Sequence, residues 1–338
     1  MWRPFARTSC TAALVLFSAG PGTSAVIAAD SPPVETISIA PPVLSQVPEA
    51  EYAVPTKRDR VGRIVVPVMV NGRGPFKFIL DTGANTTVLA PHLAESIGLK
   101  VNRDQMINMN GVTGAEPVPT AEVDRVESGS VVLESQRLAV AQASLIGTDG
   151  VLGVDGLKDK LVLVDFVHDR AQVLDAREHR PAPHVVRLHA RARFGRLLVV
   201  QALVGKIKVN AVIDTGGQRT LGNYALYAAL GLRPSMTIRG INASIVGATD
   251  SRQQGELYAV PEITLGESLS ITNLGVIFGD FYIFKLWDLE HTPTLVLGMD
   301  MIGTLDTFAV DYLRLEVQIR AGREWGTRVH VGSTVAGL

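Results

Sequence analysis

Two stretches of this 338-residue chain repeat one pattern. Residues 81–99 read DTGANTTVLAPHLAESIGL, and residues 214–232 read DTGGQRTLGNYALYAALGL. Aligned without a gap, seven of the nineteen positions are identical, including the Asp-Thr-Gly triplet at the start. Each stretch follows a short apolar run that is typical of a buried strand, FKFIL at 76–80 or NAVI at 210–213.

A second pair of segments extends the repeat. VLGVD at 151–155 matches VLGMD at 296–300, and a strand-like run with an Asp follows each. The sequence therefore predicts a tandem duplication with one lobe over 58–176 and the other over 190–320. A linker over 177–189 joins the predicted lobes, and a tail over 321–338 follows them.

The texture of both repeats is typical of an all-β protein with short helices. Short Val/Ile/Leu runs lie between Gly, Asn and Asp residues, which favours closely spaced strands. These runs are 63–70, 76–80, 130–133, 161–165, 197–204, 206–213, 263–265 and 307–319. Helices are predicted over 91–97 and 223–230, because Gly98 and Gly231 follow them as stop signals.

Composition excludes several classes of protein. The formal net charge of −1 argues against a dedicated nucleic-acid binder. The single cysteine, Cys10, rules out an internal disulfide framework, a CxxC redox pair and a cysteine-rich zinc site. His179, His184 and His189 lie five residues apart, which does not suit one metal-binding face. We expect no metal and no cofactor.

The N-terminus has the layout of a secretory signal over 1–29. Arg3 and Arg7 precede an apolar run at 11–19, and small residues follow at 25–29. The run is too short to span a membrane, although an uncleaved signal anchor is the alternative. A proline-rich leader over 30–57 follows, either a spacer or a propeptide that shields an active site. We expect an exported protein, periplasmic or extracellular, with no integral membrane span.

The repeated Asp-Thr-Gly motifs resemble those of the aspartic peptidases of the retroviral and pepsin type, and most closely the bacterial retroviral-like aspartyl proteases. The resemblance rests on FILDTGA at 78–84 followed by TVL at 87–89, on VIDTGG at 212–217, and on the two apolar-apolar-Gly segments. It implies an all-β, bilobal fold with a pseudo-twofold axis. It also implies that Asp81 and Asp214 form a shared dyad, that Thr82 and Thr215 bond across the lobes, and that Gly153 and Gly298 back the two loops.

Physical chemistry explains why such a pair suits hydrolysis. Two carboxyls about 3 Å apart cannot both ionise, so the pair holds one proton over a wide pH range. The ionised member can activate water, and the protonated member can donate to a carbonyl oxygen. Gly83 and Gly216 allow close approach and present amides to the carboxyls. Ala84 and Gly217 offer no hydroxyl to the dyad, which predicts a less acidic pH optimum than that of pepsin-type enzymes. Arg219 is expected to point to solvent.

Two glycine-punctuated segments are candidate flaps over the site. The first, NMNGVTGA at 108–115, contains Asn110, Gly111 and Gly114; the second, GINASIVGAT at 240–249, contains Gly247. An ordinary mobile loop is the alternative for the second segment. A cluster of aromatic residues just before the second VLG is predicted to pack in the core rather than line a pocket. Its members are Phe278, Phe281, Tyr282, Phe284 and Trp287.

Three functions remain at this stage. The favoured one is an aspartic endopeptidase that hydrolyses a polypeptide substrate as a monomer, with a homodimer of paired repeats as the alternative assembly. The second is a non-catalytic binding or scaffolding protein of the cell envelope with the same fold. The third, a glycosidase with two carboxyls, is disfavoured because a symmetric motif gives both carboxyls similar environments.

Overall fold

The fold is known from a computed structural model. It describes residues 54–55, 57–58, 62–141, 148–180, 185–233, 237–249, 251–266, 269–321 and 328–331. These residues belong to one compact unit, Glu49–Leu338. The predicted signal over 1–29 lies outside them. Of the helices in the described ranges, none is long and apolar enough to cross a membrane.

The first lobe is built from short strands and one short helix. The hairpin formed by Ile64–Val70 and Arg73–Leu80 turns at Asn71-Gly72, where both residues have positive φ (49° and 71°), the backbone that a two-residue type I′ turn requires. The strands are β1 (Val54–Pro55), β2 (Lys57–Arg58), β3 (Ile64–Val70), β4 (Arg73–Leu80), β5 (Val88–Leu89), β6 (Val101–Asn110), β7 (Ala115–Ser128), β8 (Val131–Val140), β9 (Gly150–Leu152), β10 (Lys160–Asp165) and β11 (Arg170–Asp175). The helix is α1 (Pro91–Ser96), and a 3-10 turn covers Val154–Gly156.

The second lobe repeats this order with two further helices. Its strands are β12 (Val186–Arg193), β13 (Leu197–Val204), β14 (Ile207–Ile213), β15 (Leu221–Gly222), β16 (Thr237–Val246), β17 (Arg252–Ala259), β18 (Ile263–Leu265), β19 (Leu269–Thr272), β20 (Gly275–Phe278), β21 (Thr294–Leu297), β22 (Leu305–Asp311), β23 (Glu316–Ala321) and β24 (Arg328–Val331). Its helices are α2 (Tyr224–Ala229), α3 (Tyr282–Leu286) and α4 (Met299–Ile302).

The strands that carry the repeats pair in the same way in both lobes. In the first lobe, β4 runs parallel to β9, β5 runs parallel to β8, and β5 lies antiparallel to β9. In the second, β14, β15, β20 and β21 reproduce these three pairings. The Asp-Thr-Gly loop leaves the end of β4 or β14 and returns through β5 or β15. It therefore emerges from the buried centre of its lobe.

Six strands in the order β1-β11-β10-β22-β23-β12 join the lobes, as one end of a 16-stranded sheet that continues from β12 into β13. Its central pair, β10 and β22, is antiparallel and takes one strand from each repeat, with Leu163 opposite Ala309 at the middle. This symmetric register places the pseudo-twofold axis between the two strands. The all-β, bilobal fold predicted from the sequence is confirmed.

The two predicted helices are present: α1 ends one residue earlier than predicted, and α2 is one residue shorter at each end. The helix α1 begins with Pro91, and Asn223 caps α2 by accepting a hydrogen bond from the Leu226 amide (3.0 Å). The apolar run at 307–319 is two strands, β22 and β23, joined by a turn rather than one continuous element.

The predicted linker and tail both contain strand residues. Within 177–189, β12 begins at Val186 and pairs with β23. Within 321–338, β24 pairs with β19. Of the predicted leader, the described residues are Val54, Pro55 and Lys57, and Val54 and Pro55 pair with the edge strand β11.

Candidate active site

The two Asp-Thr-Gly loops are anchored identically. The amide of Asp81 donates to the carbonyl of Leu152 (3.0 Å), and the amide of Asp214 donates to the carbonyl of Leu297 (3.0 Å). Both acceptors are the last residues of strands that lie parallel to the strand entering the loop. The buried apolar strands therefore fix where each Asp begins.

Thr82 and Thr215 lock the two loops together across the lobe interface. The Thr82 amide donates to Thr215 Oγ1 (3.0 Å), and the Thr215 amide donates to Thr82 Oγ1 (3.1 Å). In turn, Thr82 Oγ1 donates to the carbonyl of Ile213 (2.9 Å), and Thr215 Oγ1 donates to that of Leu80 (2.7 Å). Both threonines are buried (2% and 0% exposed). Their four hydrogen bonds hold the loops in register.

Asp81 and Asp214 meet at the centre of this arrangement, with their side chains in hydrogen-bonding contact. Asp81 Oδ1 accepts from the Gly83 amide (2.7 Å). Asp214 Oδ1 accepts from two amides, those of Gly216 and Gly217 (both 2.9 Å). The sequence predicts this pair, and the structure brings it together within one chain.

Burial and mutual repulsion raise the proton affinity of the pair. Burial, followed by the nearby charge of Asp214, raises the pKa of Asp81 to about 8. Burial also raises the pKa of Asp214, although the amides of Gly217 and Gly216 oppose that rise by stabilising its charge. Because Asp214 has the extra amide, the negative charge is favoured on Asp214 and the shared proton on Asp81.

Gly83 and Gly216 lie against the opposite aspartate. A Cβ at Gly83 would come within 2.5 Å of Asp214 Oδ1, and a Cβ at Gly216 would overlap the Asp81 carboxyl. Any side chain at these positions would push the carboxyls apart. Glycine is therefore required at both positions, because each loop lies too close to the opposite Asp carboxyl to accommodate a side chain.

A second pair of carboxylates, Asp155 and Asp300, braces the loops from behind. Asp155 accepts from the amide and the hydroxyl of Thr87 (both 2.8 Å). Asp300 accepts from the amide (3.0 Å) and the hydroxyl (2.7 Å) of Thr220. No role was predicted for these four residues, although the recurrence of Thr and Asp at both pairs of positions was a signal for one.

Gly153 and Gly298 pack against the same loops, as the sequence suggests. A Cβ at Gly153 would lie 2.6 Å from the carbonyl carbon of Thr86, and one at Gly298 would lie 2.7 Å from that of Arg219. These matching contacts show that Thr86 and Arg219 occupy equivalent positions in the two lobes.

The predicted flap residues lie at the tips of two hairpins that meet. Gly111 and Gly114 close the β6–β7 turn through an amide-to-carbonyl bond (2.8 Å), directly after Asn110. Gly247 follows the last residue of β16, so most of the predicted second flap is strand and the turn begins at its end. Its amide donates to Thr113 Oγ1 (3.2 Å), and Thr113 Oγ1 donates to the carbonyl of Ser251 (2.8 Å). The tips are thus interlocked.

The aspartyl protease family matches residues 66–155 and 200–301, which together make up more than half of the chain. The chain belongs to the aspartyl protease family. Each matched segment holds one Asp-Thr-Gly loop and one VLG segment, so the family pattern occurs twice, in a tandem, retroviral-like form.

The chain is also similar to a curated protein over part of its length. DNA damage-inducible protein 1 from two strains of Cryptococcus neoformans var. neoformans serotype D is 31% identical to this chain over 127 residues. The match covers 37% of this chain and 28% of the relative. The chain therefore spans less than a third of the length of that relative.

Beside Asp81, this aspartyl protease has a cavity of about 300 Å³ between the lobes. Val88, Ile107 and Ala141 line it from the first lobe, while Leu197, Ile283 and Trp287 line it from the second. Among the described residues that line the cavity, Asp81 alone has an ionisable acidic or basic side chain. The cavity can therefore hold an uncharged, apolar group next to the dyad.

The aromatic cluster divides between core and cavity. Phe278, Phe281 and Phe284 are buried in the core, as predicted. Trp287 lines the cavity instead and stacks on Phe194 with the ring centroids 4.8 Å apart. The Tyr282 hydroxyl donates to Asn110 Oδ1 in the first flap (3.2 Å). Helix α3 therefore contributes to the cleft, which the sequence analysis did not predict.

Arg219 is half-exposed and pairs at long range with Asp300 (Nε to Oδ2, 3.8 Å), as expected for a side chain that does not face the dyad. No group of three potential metal ligands occurs within the described ranges. His184 and Cys10 lie outside them.

Proposed function

We propose that this chain is an aspartic endopeptidase that hydrolyses peptide bonds with water activated between Asp81 and Asp214. One observation carries the proposal: the two repeat loops bring both carboxyls into contact in a buried site beneath interlocked flaps. Membership of the aspartyl protease family supports it.

The difference in amide donors supports a division of labour within the dyad. Asp214, with two amides on its carboxylate, is the general base that takes a proton from water. Asp81 holds the shared proton and donates it to the oxygen of the scissile carbonyl. No covalent intermediate is needed, and both carboxyls lie within reach of the same bound water.

The flaps supply the remaining requirement, exclusion of bulk water. Closed over a peptide, the two hairpin tips would shield the dyad and strengthen the electrostatic interactions inside the cleft. They must part to admit a polypeptide, so the bonds between Thr113, Gly247 and Ser251 would break and re-form in each cycle.

Raised pKa values on both aspartates support a less acidic pH optimum than that of pepsin-type enzymes. The monoanionic dyad is the active form, and raised values move its range upward in pH. Cleavage of a mixed peptide library measured against pH tests this expectation. A profile that peaks below about pH 3 would contradict it.

The decisive experiment replaces each aspartate singly. Asp81→Asn and Asp214→Asn keep the side-chain shape but remove the acid or base, so each should lower kcat by about 100- to 10,000-fold. Asp124→Asn, an exposed carboxyl on β7, is the matched control and should cleave like the wild type. Circular dichroism would show that all three variants are folded.

Cleavage that survives either dyad substitution would refute the shared dyad. If the wild type cleaves no peptide at any pH, the chain is better explained as a non-catalytic binding or scaffolding protein of the same family. Size-exclusion chromatography of the active species tests the proposed monomer against a homodimer.

We also propose export of the protein to the periplasm or the extracellular space. The support is the charged, apolar and small-residue order of residues 1–29. Cell fractionation and N-terminal sequencing of the mature protein test this. A cytoplasmic protein that begins at Met1 would contradict it.

A further inference from the structure

The two sides of the cleft differ in charge at one equivalent position. Thr86 lines the cavity beside Asp81 in the first lobe. The backbone of Arg219 meets Gly298 as that of Thr86 meets Gly153. The pseudo-twofold axis therefore gives the backbone of Arg219 the position in the second lobe that Thr86 has in the first, where the side chain is an uncharged hydroxyl.

The Arg219 side chain is available to a ligand. It is 48% exposed, and its pairing with Asp300 is long, 3.8 Å between Nε and Oδ2. Asp300 already accepts two shorter bonds from Thr220. No other bond or ion pair to Arg219 occurs among the described residues, so the two terminal nitrogens can meet a carboxylate in the bidentate geometry that guanidinium favours.

The first side of the cleft has the opposite character. Its cavity is walled by apolar side chains from both lobes, among them Ile107, Leu197 and Trp287. Arg196 lies nearby, but it does not line the cavity, and its guanidinium donates to the carbonyl of Asp155 (3.3 Å). An anionic substrate side chain would lose hydration there without gaining a cationic partner among the described lining residues.

We propose that Arg219 is a specificity-determining residue that selects peptides with an Asp or Glu side chain on one side of the scissile bond. The same peptides carry an apolar side chain on the other side, in the cavity beside Asp81. This inference rests on the proposed endopeptidase function and adds a substrate class to it.

The test uses peptide pairs that differ only by Glu against Gln, placed in turn at each position on either side of the scissile bond. The wild type should cleave the Glu peptide at one position with a kcat/KM about threefold to tenfold higher, mainly through KM. Because the contact is exposed, the preference should shrink as salt is added.

Two variants of Arg219 and one of Thr86 locate the preference. Arg219→Gln should remove the discrimination between Glu and Gln while retaining cleavage of the Gln peptide. Arg219→Glu should reverse it in favour of a Lys peptide. Thr86→Arg, at the equivalent position, should create a second preference for Glu on the opposite side of the scissile bond.

Arg125→Gln is the matched control, because Arg125 is similarly exposed (44%) and ion-paired but lies on β7. It should retain the wild-type preference. The inference would be overturned if Arg219→Gln preferred Glu as strongly as the wild type does. It would also be overturned if the wild type cleaved Glu and Gln peptides equally, and neither result would affect the proposed endopeptidase function. Failure of the wild type to cleave any of the peptides would refute the proposed function, and this inference with it.

Discussion

The loops at 81–87 and 214–220 are copies of one another that differ at three of their seven positions. Their inward groups match: each Asp amide meets a Leu carbonyl, each Thr hydroxyl bridges the lobes, and each second Thr binds an Asp behind it. The differences are Ala84, Asn85 and Thr86 in the first loop against Gly217, Gln218 and Arg219 in the second. The threonines that bond the other loop or the carboxylate behind are unchanged, whereas these three positions have diverged, although Asn85 bonds the second lobe at Phe194 and Arg196.

The largest effect is expected where this symmetry is tightest, at Gly83 and Gly216. A Cβ at either position meets the carboxyl of the opposite Asp, so Gly83→Ala and Gly216→Ala should each separate the dyad. A misplacement of about 1 Å should lower kcat/KM by about a hundredfold or more. Steady-state cleavage of one peptide measures both variants.

Gly72→Ala, in the β3–β4 turn, is a control for general backbone strain, because a Cβ there meets no atom. It should destabilise the fold with little effect on kcat. If Gly83→Ala or Gly216→Ala retained full activity, the close approach of the two loops would be wrong.

The threonine network should give the next largest effect, this time on stability. Thr82→Ala or Thr215→Ala removes two buried hydrogen bonds and leaves an amide and a carbonyl of the other lobe unpaired. Each should lower the free energy of unfolding by about 2–4 kcal/mol, measured by urea denaturation.

Equal losses in the two single variants are the signature of a symmetric network. The double variant should lose less than the sum, because the two hydroxyls serve the same pair of loops. Thr82→Ser and Thr215→Ser keep the hydroxyl and should retain most of the stability. Strictly additive losses would show that the hydroxyls act independently.

Per pH unit, titration of the dyad should change stability by less than either threonine variant does. Because the pKa of Asp81 rises from 3.8 to about 8 on folding, the folded protein keeps a proton that the unfolded chain releases between these values. The free energy of unfolding should therefore fall as pH rises through this window, by up to about 1.4 kcal/mol per pH unit.

The two Asn variants separate the contributions of the two aspartates. Asp81→Asn leaves Asp214, whose charge two amides stabilise, and should give the flatter curve. Asp214→Asn leaves Asp81 with a single amide and should retain more of the slope. Identical curves for the two variants would show that the amide difference does not matter.

The sequence predicted the features that depend on repeated motifs and on apolar runs. The strands at 197–204 and 263–265 and the helices α1 and α2 follow from those patterns, whereas the meeting of Asp81 with Asp214 follows from the family resemblance of the two motifs. The long hairpin β6–β7 did not, because β6 exposes charged and polar residues along most of its length and has no clear alternation. Its pairing with β7 is determined by the neighbouring strand rather than by its own sequence.

Contacts between segments that are distant along the chain also could not be predicted from the sequence. The part that Trp287 plays in the cavity depends on its stacking with Phe194, and the flap contact of Tyr282 depends on Asn110. These partners come from different repeats or from segments without a counterpart, so no internal comparison reveals them. By contrast, Asp155 and Asp300 recur at matching positions in the two repeats, so their hydrogen bonds to the loop threonines could have been predicted from the sequence.

The smallest predicted effect concerns the flap tips, where the lobes again differ. Thr113 Oγ1 bonds both Gly247 and Ser251 across the contact, whereas Thr249 Oγ1 lies 3.5 Å from Thr113 Oγ1. Thr113→Val should therefore weaken flap closure and raise KM by about threefold to tenfold, while Thr249→Val changes KM by less than about twofold. Equal effects would mean that the tips close symmetrically in solution, and that the one-sided bonding at Thr113 does not govern how the cleft opens.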